Sequence, residues 1–356
     1  MTANKILIVG GYGEVGRRLV DLLEEAQPGR VVVAGRHPER ARGAPARQID
    51  LDTPVSIERA LDDVAVVVAC VRQRQPHLLR AALRRGVAYT SIAPPWLPWP
   101  ETEPLRAEAG RTGSRVILAA GLEPGISSVL VRAAADRLGA VDSVETALML
   151  SLGDSYGPDS MDFIFEEVTE PYSITIDGRE QAMNAFERSE LVEFPAPVGP
   201  RRAYTMPFRD QLYYPATVGA KTAIARIALD PPWLARVLAV LLHAGLRRAL
   251  RRGGARGAAR GYIDALRQRY RDRDRYALVV ETRGGGRTIR STLVGRQQAT
   301  ATAVGVYAIT EALWSREVEA PGVWLAEQVI TPGPFLARLA AHGIVPKVEE
   351  IDPRRP

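Results

Sequence analysis

The chain has 356 residues, more than one hydrophobic core usually covers, so its length predicts two domains. Hydrophobic residues make up 46% and charged residues 25%, which excludes an intrinsically disordered chain and indicates a soluble, globular class. The formal net charge is +6, but only three of the 47 basic residues are lysines and aromatic residues reach only 6%. That composition argues against a nucleic-acid-binding surface, which mixes both basic residue types with aromatic ones.

The cysteine content, the histidine spacing and the apolar stretches bear on the cellular compartment of the protein and on metal binding. Cys70 is the only cysteine, so no intrachain disulfide can form, and the four histidines lack the spacing of a metal site. The N-terminus enters an apolar strand at once and shows no signal peptide. The longest apolar stretch, from Trp233 to Leu250, is interrupted by arginines and a histidine, which excludes stable membrane insertion. We therefore expect a cytoplasmic protein without a metal.

Short apolar runs alternate with helical patterns over the first 125 residues, as in a parallel sheet with crossover helices. The predicted strands are Ile6–Val9, Val31–Ala34, Arg47–Asp50, Ala65–Cys70, Ala88–Ile92 and Val116–Ala119. This rhythm predicts a doubly wound parallel α/β sheet of the Rossmann type.

A glycine motif follows the first strand directly and opens an amphipathic helix. We assign the tight turn to Gly11, the close approach of a diphosphate to Gly13, and close packing of helix against strand to Gly16. Free amides at the start of the helix would then hold the phosphates of a nicotinamide dinucleotide. The predicted phosphate loop comprises Gly11, Tyr12, Gly13, Glu14, Val15 and Gly16.

The end of the second strand indicates which dinucleotide is bound. NAD enzymes usually carry Asp or Glu at this point, whereas this chain has Arg36 and His37 without a carboxylate beside them. A guanidinium suits the extra phosphate of NADP, so we expect NADP(H) rather than NAD(H), although Arg36 can also be read as a surface arginine. Asp50, after the third strand, is either a contact of the adenine edge or a loop cap.

Segments that follow the strands should line the ligand site of an open α/β sheet. These segments supply Cys70, Val71, Arg72, Trp96, Trp99 and Glu123 as candidates. The two tryptophans, in a proline-rich loop, either form an apolar wall beside the nicotinamide or pack the loop onto the second domain. The Glu123 carboxyl is either a proton donor or anchor, or a helix N-terminal carboxylate stabilised by the dipole.

After Gly125 the pattern changes to that of an α+β domain with a mostly antiparallel sheet. A helix is predicted over Ile126–Leu138 and another over Ala299–Trp314. Predicted strands are Val144–Leu150, Tyr172–Ile176 and Tyr276–Thr282, and hairpin turns are predicted at Asp177-Gly178 and at Gly284-Gly285-Gly286.

Polar candidates of this second region lie near one apolar run. Lys221 stands within Thr217–Leu229 and is either a desolvated acid or carboxylate ligand, or a surface lysine. Tyr213, Tyr214 and Arg209 precede that run and either contact the substrate or belong to a structural hairpin. The Arg-rich helical segment near 231–275 either roofs an apolar substrate pocket, forms a dimer contact or lies on an anionic membrane.

Several patches of the chain resemble the saccharopine dehydrogenase-like family of NAD(P)-dependent oxidoreductases. They are ILIVGGYGEVGRRLV, VVVAGRHPERA, AALRRGVAYTSIA, AAGLEPGISSVLVRAAADRLG, ATAVGVYAITEALW and GVWLAEQV. The chain departs from the family at Tyr89-Thr90-Ser91, where relatives often carry Asp after the tyrosine, so a carboxylate role there is doubtful.

The resemblance implies a substrate domain inserted after the nucleotide domain, a late helix that packs back toward the cofactor, and a homodimer. It also implies hydride transfer to a C=N bond of an amino-acid-derived or specialised small molecule. Two alternatives stay open: an enoyl or carbonyl reductase of an acyl substrate, and a dinucleotide-binding protein without catalysis. Glu123, Lys221 and Tyr213 are the candidate catalytic residues, while Trp96, Trp99, Arg209 and Tyr214 are the candidate substrate contacts.

These expectations divide the chain into three parts. Residues 1–125 form the nucleotide-binding domain. Residues 126–330 form the substrate and dimerisation domain, with the helical insertion near 231–275. Residues 331–356 form a C-terminal segment.

Overall fold

The apolar runs fold into two sheets in the computed structural model, which describes residues 3–41, 43–73, 75–92, 102–154, 164–252 and 256–351. The strands, in chain order, are β1 Lys5–Val9, β2 Val31–Gly35, β3 Ala46–Gln48, β4 Val64–Ala69, β5 Ala88–Ser91, β6 Arg115–Leu118, β7 Ser143–Ser151, β8 Tyr172–Ile176, β9 Arg179–Met183, β10 Ser189–Phe194, β11 Gly199–Thr205, β12 Thr222–Asp230, β13 Arg275–Gly284, β14 Arg287–Arg296, β15 Gly322–Leu325 and β16 Lys347–Ile351.

Helices connect or flank these strands. The α-helices are Glu14–Ala26, Pro54–Ala60, His77–Arg84, Glu103–Thr112, Ile126–Leu138, Tyr214–Thr217, Pro232–Leu241, Arg247–Arg251, Arg256–Arg269, Gln298–Trp314, Ala326–Val329 and Pro332–Ala341. No helix in the described ranges combines the length and the apolar character that crossing a bilayer requires.

The first sheet has seven strands in the order β15-β6-β5-β4-β1-β2-β3, all paired in parallel. Its interior strands are apolar on both faces because crossover helices cover both sides. The helix Glu14–Ala26 buries Leu19 and Leu23 completely against the sheet. The predicted doubly wound Rossmann-type fold is confirmed, with the strand order reversing at β1.

The second sheet is mixed and mostly antiparallel, as the sequence predicts. Its main order is β10-β11-β12-β7-β13-β14-β16, and the β8–β9 hairpin attaches to β12. Only β7 and β12 run parallel among its described neighbours. The two predicted hairpin turns join β8 to β9 and β13 to β14.

Both hairpin turns have the backbone that their residues predict. Asp177 and Gly178 have φ of 51° and 73°, and Gly285 and Gly286 have φ of 57° and 74°. Two successive residues with positive φ are what a two-residue type I′ hairpin needs. Asp and Gly tolerate this conformation, which explains why the sequence signal is reliable here.

The chain divides into two compact units, one made of Met1–Val129 and Ala299–Gly343, the other of Leu130–Gln298 and Ile344–Pro356. The larger part of the second unit, Leu130–Gln298, is thus inserted into the first, and its smaller part, Ile344–Pro356, follows the first. The sequence instead predicts that 126–330 is one domain and 331–356 a separate segment. The difference arises because β15 pairs with β6 and β16 pairs with β14. The strands of each pair are far apart in the sequence, so no local sequence pattern indicates that they pair.

The predicted helical insertion near 231–275 is present in the second unit. Pro232–Leu241 is followed by a kink at Gly245, whose φ is 113°, and then by Arg247–Arg251. Arg256–Arg269 completes the segment.

The helix Gln298–Trp314 belongs to the first unit and packs closely on the turn after β6. A Cβ added at Gly305 would lie 2.9 Å from the carbonyl oxygen of Gly121 and 3.0 Å from Cγ1 of Ile126. Small residues along this helix therefore permit an approach that a larger side chain would prevent.

We expect Gly305→Ala to lower the free energy of unfolding by about 1 to 3 kcal/mol, because the added methyl group overpacks this contact. Gly110→Ala is the matched control: Gly110 lies in the helix Glu103–Thr112 with open space around it. There the substitution should stabilise by about 0.5 to 1 kcal/mol through helix propensity. Urea unfolding of both variants measures the contrast, and an equal stabilisation by both would contradict the close packing.

Candidate functional site

The glycine turn after β1 is shaped by two positions that have no room for a side chain. Gly10 has φ of +81°, and a Cβ there would lie 2.4 Å from Cγ1 of Val71. A Cβ at Gly16 would lie 2.3 Å from the carbonyl oxygen of Gly10. The helix therefore starts in direct contact with the turn, as we expect for Gly16.

The tight turn belongs to Gly10 rather than to Gly11, which corrects the expected role of Gly11. Of these two glycines only Gly10 has the left-handed backbone. Gly11 is instead needed for packing, because its Cβ would lie 3.1 Å from both methyl groups of Val33 in β2. The doubled glycine at positions 10 and 11 is the sequence signal that could have shown this division.

Gly13 leaves the start of the first helix open. Its backbone is extended, it is exposed, and the nearest atom to an added Cβ is the carbonyl oxygen of Gly10 at 3.2 Å. No side chain caps this helix end. The first amides of a helix, including that of Val15, have no partner within the helix and carry the positive end of its dipole. Together they form a cradle that fits a phosphate group.

Glu14 places a carboxylate at this same helix end, where it forms ion pairs with two arginines of the next helical turn. Its carboxylate oxygens lie 3.0 Å from Nη2 of Arg17 and 2.5 Å from Nη1 of Arg18. Arg18 also donates from Nε to the hydroxyl of Thr300, at 3.0 Å, on the late helix. The ion pairs offset the negative charge that would otherwise repel an anion at this position.

Tyr12 covers the end of β2. A Cβ at Gly35 would lie 2.4 Å from the Tyr12 hydroxyl oxygen, so only glycine leaves space for the ring. Arg36 follows at once, is exposed, and forms no ion pair or hydrogen bond with another described residue. His37 lies beside it, with Nδ1 3.2 Å from Oε1 of Glu39. The tyrosine and the two basic side chains thus share the edge of the sheet where β2 ends.

Asp50 makes the contacts of a loop cap. One carboxylate oxygen accepts from the amide of Asp52 at 3.1 Å, and the other accepts from the hydroxyl of Thr53 at 3.2 Å. Its own amide donates to the Ser56 hydroxyl at 2.9 Å. These contacts fit the interpretation of Asp50 as a loop cap.

The segment after β4 meets the glycine turn. The amide of Cys70 donates to the carbonyl of Val9 at 2.8 Å, Val71 packs against Gly10, and Arg72 is exposed. Desolvation raises the pKa of the Cys70 thiol to about 12. The thiol is therefore protonated at neutral pH and unsuited to act as a nucleophile.

Glu123 lies in a tight turn after β6. The amide of Gly121 donates to the carbonyl of Pro124 at 2.7 Å, and the amide of Ile126 donates back to the carbonyl of Gly121 at 2.9 Å. Gly125 has φ of +130° and no room for a Cβ. The turn leads directly into the helix Ile126–Leu138, so Glu123 stands both at the carboxyl edge of the sheet and ahead of a helix N-terminus. This position is compatible with both interpretations of the Glu123 carboxyl, as a proton donor or anchor and as a helix N-terminal carboxylate.

Trp96 and Trp99 lie outside the described residues. In the described ranges, no group of three or more His, Cys, Asp or Glu side chains is arranged to hold a metal ion.

The proposed desolvation of Lys221 is wrong. Its side chain is 70% exposed and its ammonium lies 2.9 Å from Oδ1 of Asp142, at the surface just before β12 begins. The ion pair with Lys221 lowers the pKa of the Asp142 carboxyl. An ammonium this exposed, paired with a surface carboxylate, fits the surface interpretation of Lys221 and not the desolvated one.

Tyr213 and Tyr214 are buried in a compact polar cluster of the second unit. The Tyr214 hydroxyl donates to Oδ2 of Asp210 at 2.9 Å, and both residues are almost fully buried. Arg209 donates to Oε1 of Glu167 at 2.6 Å. The structural alternative, a hairpin, is not what forms here: Arg209–Leu212 is a 3-10 turn that runs into the helical turn Tyr214–Thr217.

Two contributors to the glycine-loop site are absent from the sequence-based candidates. Gly35 makes room for the Tyr12 ring, and Thr300 receives the Arg18 hydrogen bond from a helix almost three hundred residues away. Gly35 could have been found from its place at the end of β2, whereas nothing near Thr300 in the sequence indicates its role.

No family model and no curated protein sequence matches the chain. Among solved structures, the apo saccharopine dehydrogenase (L-Glu forming) from Saccharomyces cerevisiae is similar, with a TM-score of 0.69 and 16% identity over 98% of this chain and 100% of that chain. The WlbA dehydrogenase from Thermus thermophilus, in complex with NAD and alpha-ketoglutarate, matches 95% of this chain and 94% of its own at 16% identity. Its TM-score of 0.41 is too low to support an argument. The first similarity, with the strand order given above, shows that the chain has the fold of that saccharopine dehydrogenase.

Proposed function

We propose that the chain is an NADPH-dependent oxidoreductase that delivers hydride to the C=N bond of an amino-acid-derived or specialised small molecule. The observation that carries the proposal is the uncapped helix end at Gly13, with the exposed guanidinium of Arg36 past the end of the neighbouring strand. The first feature is suited to a diphosphate and the second to an additional phosphate.

The backbone of the glycine turn would hold the diphosphate of the dinucleotide. Gly13 gives room for close approach, Gly16 keeps the helix end against the turn, and the amides of Glu14 and Val15 point toward the open end. Arg18 keeps the Glu14 carboxylate from opposing the anion. When bound, the nicotinamide ring supplies the hydride of the reaction.

Arg36 would bind the phosphate that distinguishes NADP from NAD. A guanidinium presents a planar fork of donors that matches phosphate oxygens. The residues directly after β2, Arg36 and His37, include no carboxylate that would accept the ribose hydroxyls of NAD. Tyr12, lying on Gly35, provides an aromatic surface next to that position.

Glu123 is our candidate for the proton donor or the substrate anchor, because it stands after β6 at the carboxyl edge of the sheet. Ligands of open α/β sheets bind beyond this edge. A C=N acceptor is supported by the resemblance of the AAGLEPG and GVWLAEQV segments to the saccharopine dehydrogenase-like family. The similar solved structure is itself a saccharopine dehydrogenase.

We expect Gly13→Ala to weaken dinucleotide binding by at least about tenfold, or about 1.4 kcal/mol, with little change in unfolding. The added methyl group occupies the space of the diphosphate, while its 3.2 Å contact with Gly10 is relieved by a shift of a few tenths of an ångström. Titration calorimetry with NADPH, beside urea unfolding, separates the two effects. Unchanged affinity in a folded variant would remove the diphosphate from this turn.

We expect Arg36→Gln to weaken NADPH binding by about 10- to 100-fold and to leave NADH binding within about twofold, because one charge-assisted pair is lost. Arg30→Gln is the matched control, since Arg30 is exposed just before β2, at the opposite end of the same strand. Dissociation constants for both nucleotides provide the measurement. Equal losses for NADPH and NADH, or an equal effect of the control, would contradict a specific phosphate contact.

We expect stopped-flow mixing of the protein and NADPH with acceptor panels to show oxidation by imines formed from an amine and a keto acid. Ketones and enoyl thioesters should react at least about tenfold more slowly, since the site is proposed to favour a C=N bond. Faster oxidation by enoyl or carbonyl acceptors would replace the imine assignment with the acyl alternative. Tight NADPH binding without oxidation by any acceptor would favour a non-catalytic dinucleotide-binding protein.

A further inference from the structure

The helical segment Trp233–Arg252 presents an apolar stripe to solvent. Trp233, Val237, Val240 and Leu241 are 40%, 44%, 67% and 46% exposed. They recur at the spacing of one helix face. We define these four side chains as the apolar stripe.

The opposite side of the same helix is already buried. Ala235, Ala239 and Leu242 face the protein, and the helix packs along β12. The apolar stripe is therefore not needed to hold the helix on its own unit. A helix that is apolar on both sides needs a second apolar environment for the outer one.

The charges of the segment are entirely positive. Residues 231–252 contain five arginines and one histidine, and no Asp or Glu. Two of the arginines fix the segment in place: Arg247 donates to the carbonyls of Val168 and Ala185, and Arg251 pairs with Glu170 at 2.6 Å.

The other three arginines, Arg236, Arg248 and Arg252, are exposed and form no ion pair with any residue in the described ranges. Arg236 borders the apolar stripe directly, since it stands three residues after Trp233 and four before Val240. Cations beside an exposed apolar helix face are the features that bind the surface of an anionic bilayer.

We propose that the segment Trp233–Arg252 lies on a membrane of anionic lipids. The apolar stripe enters the boundary between headgroups and acyl chains, where a tryptophan is also favourable. Arg236, Arg248 and Arg252 bind lipid phosphates and carboxylates, and the methylene groups of Arg236 extend beside the apolar stripe.

Charge and shape favour this occupant over other partners. A second copy of the chain meeting this face across a two-fold axis would bring the arginines of both copies together, which is repulsive. Single-stranded nucleic acid needs aromatic platforms, and the stripe offers two valines and a leucine beside one tryptophan. The exposed face of the helix Pro232–Leu241 can lie in a bilayer interface, which has no shape of its own to match.

The test is flotation of the full-length protein with vesicles of phosphatidylcholine, alone or with about one-third phosphatidylserine. We expect the protein to float with the anionic vesicles only, and less so as salt is raised. The assay needs no nucleotide, so its outcome is independent of the proposed reductase activity. Absence of binding to anionic vesicles at low salt would overturn the proposal.

Paired variants locate the contact. Val240→Ser with Leu241→Ser should weaken vesicle binding by at least about tenfold, since it removes two of the four side chains of the apolar stripe. Leu191→Ser, at an exposed leucine of β10 that lies outside the stripe, should leave it unchanged. Because these side chains are already in water, folding should be preserved, and urea unfolding checks this.

Charge variants give a second readout. Arg248→Gln with Arg252→Gln should weaken binding to anionic vesicles by about 25-fold, at about fivefold for each arginine near the surface. Arg111→Gln, an exposed arginine in the helix Glu103–Thr112, is the control. Equal binding by wild type and both double variants would overturn the proposal. So would sedimentation velocity in which the wild type is a dimer and the Val240, Leu241 variant a monomer.

Discussion

The close contact between the first helix and the turn that precedes it is the constraint on which the proposed nucleotide site depends. Gly10 takes a backbone conformation that other residues avoid, and Gly16 allows the helix to begin against the carbonyl of Gly10. A larger residue at either place would separate the helix from the strand. The positive end of the helix dipole and the first amides of the helix, near Gly13, then lie together at the edge of the sheet. Arg18 and Thr300 tie the late helix to the same place.

Features that arise from local chemistry could be predicted from the sequence. The parallel sheet follows from β-branched runs separated by amphipathic helices, and the two hairpins follow from Asp177-Gly178 and the triple glycine after Arg283. The phosphate loop is recognisable because its glycines stand between a strand and a helix. In each case the residues that carry the signal are also the residues that form the element.

Features that depend on distant partners could not be predicted. β15 is four residues long and becomes a strand only because β6 offers an edge to pair with. Lys221 stands in an apolar run, yet its side chain reaches solvent and Asp142 because it precedes β12 rather than entering it. The sequence offers Tyr213 and Tyr214 as substrate contacts or as part of a hairpin, whereas in the fold Asp210 is a buried partner of Tyr214. Strand edges and buried partners are properties of the folded chain.

The insertion of Leu130–Gln298 into the first unit separates two paired strands, β6 and β15, along the chain. β6 is made early, whereas β15, which pairs along its outer side, follows about 200 residues later, a delay of roughly 10–40 s at ribosomal rates. During that interval the nascent first sheet ends in a strand with unsatisfied backbone groups, a place where polypeptides adhere to one another. The short strand β15 therefore completes the first sheet only after the second unit's strands β7 to β14 have been made.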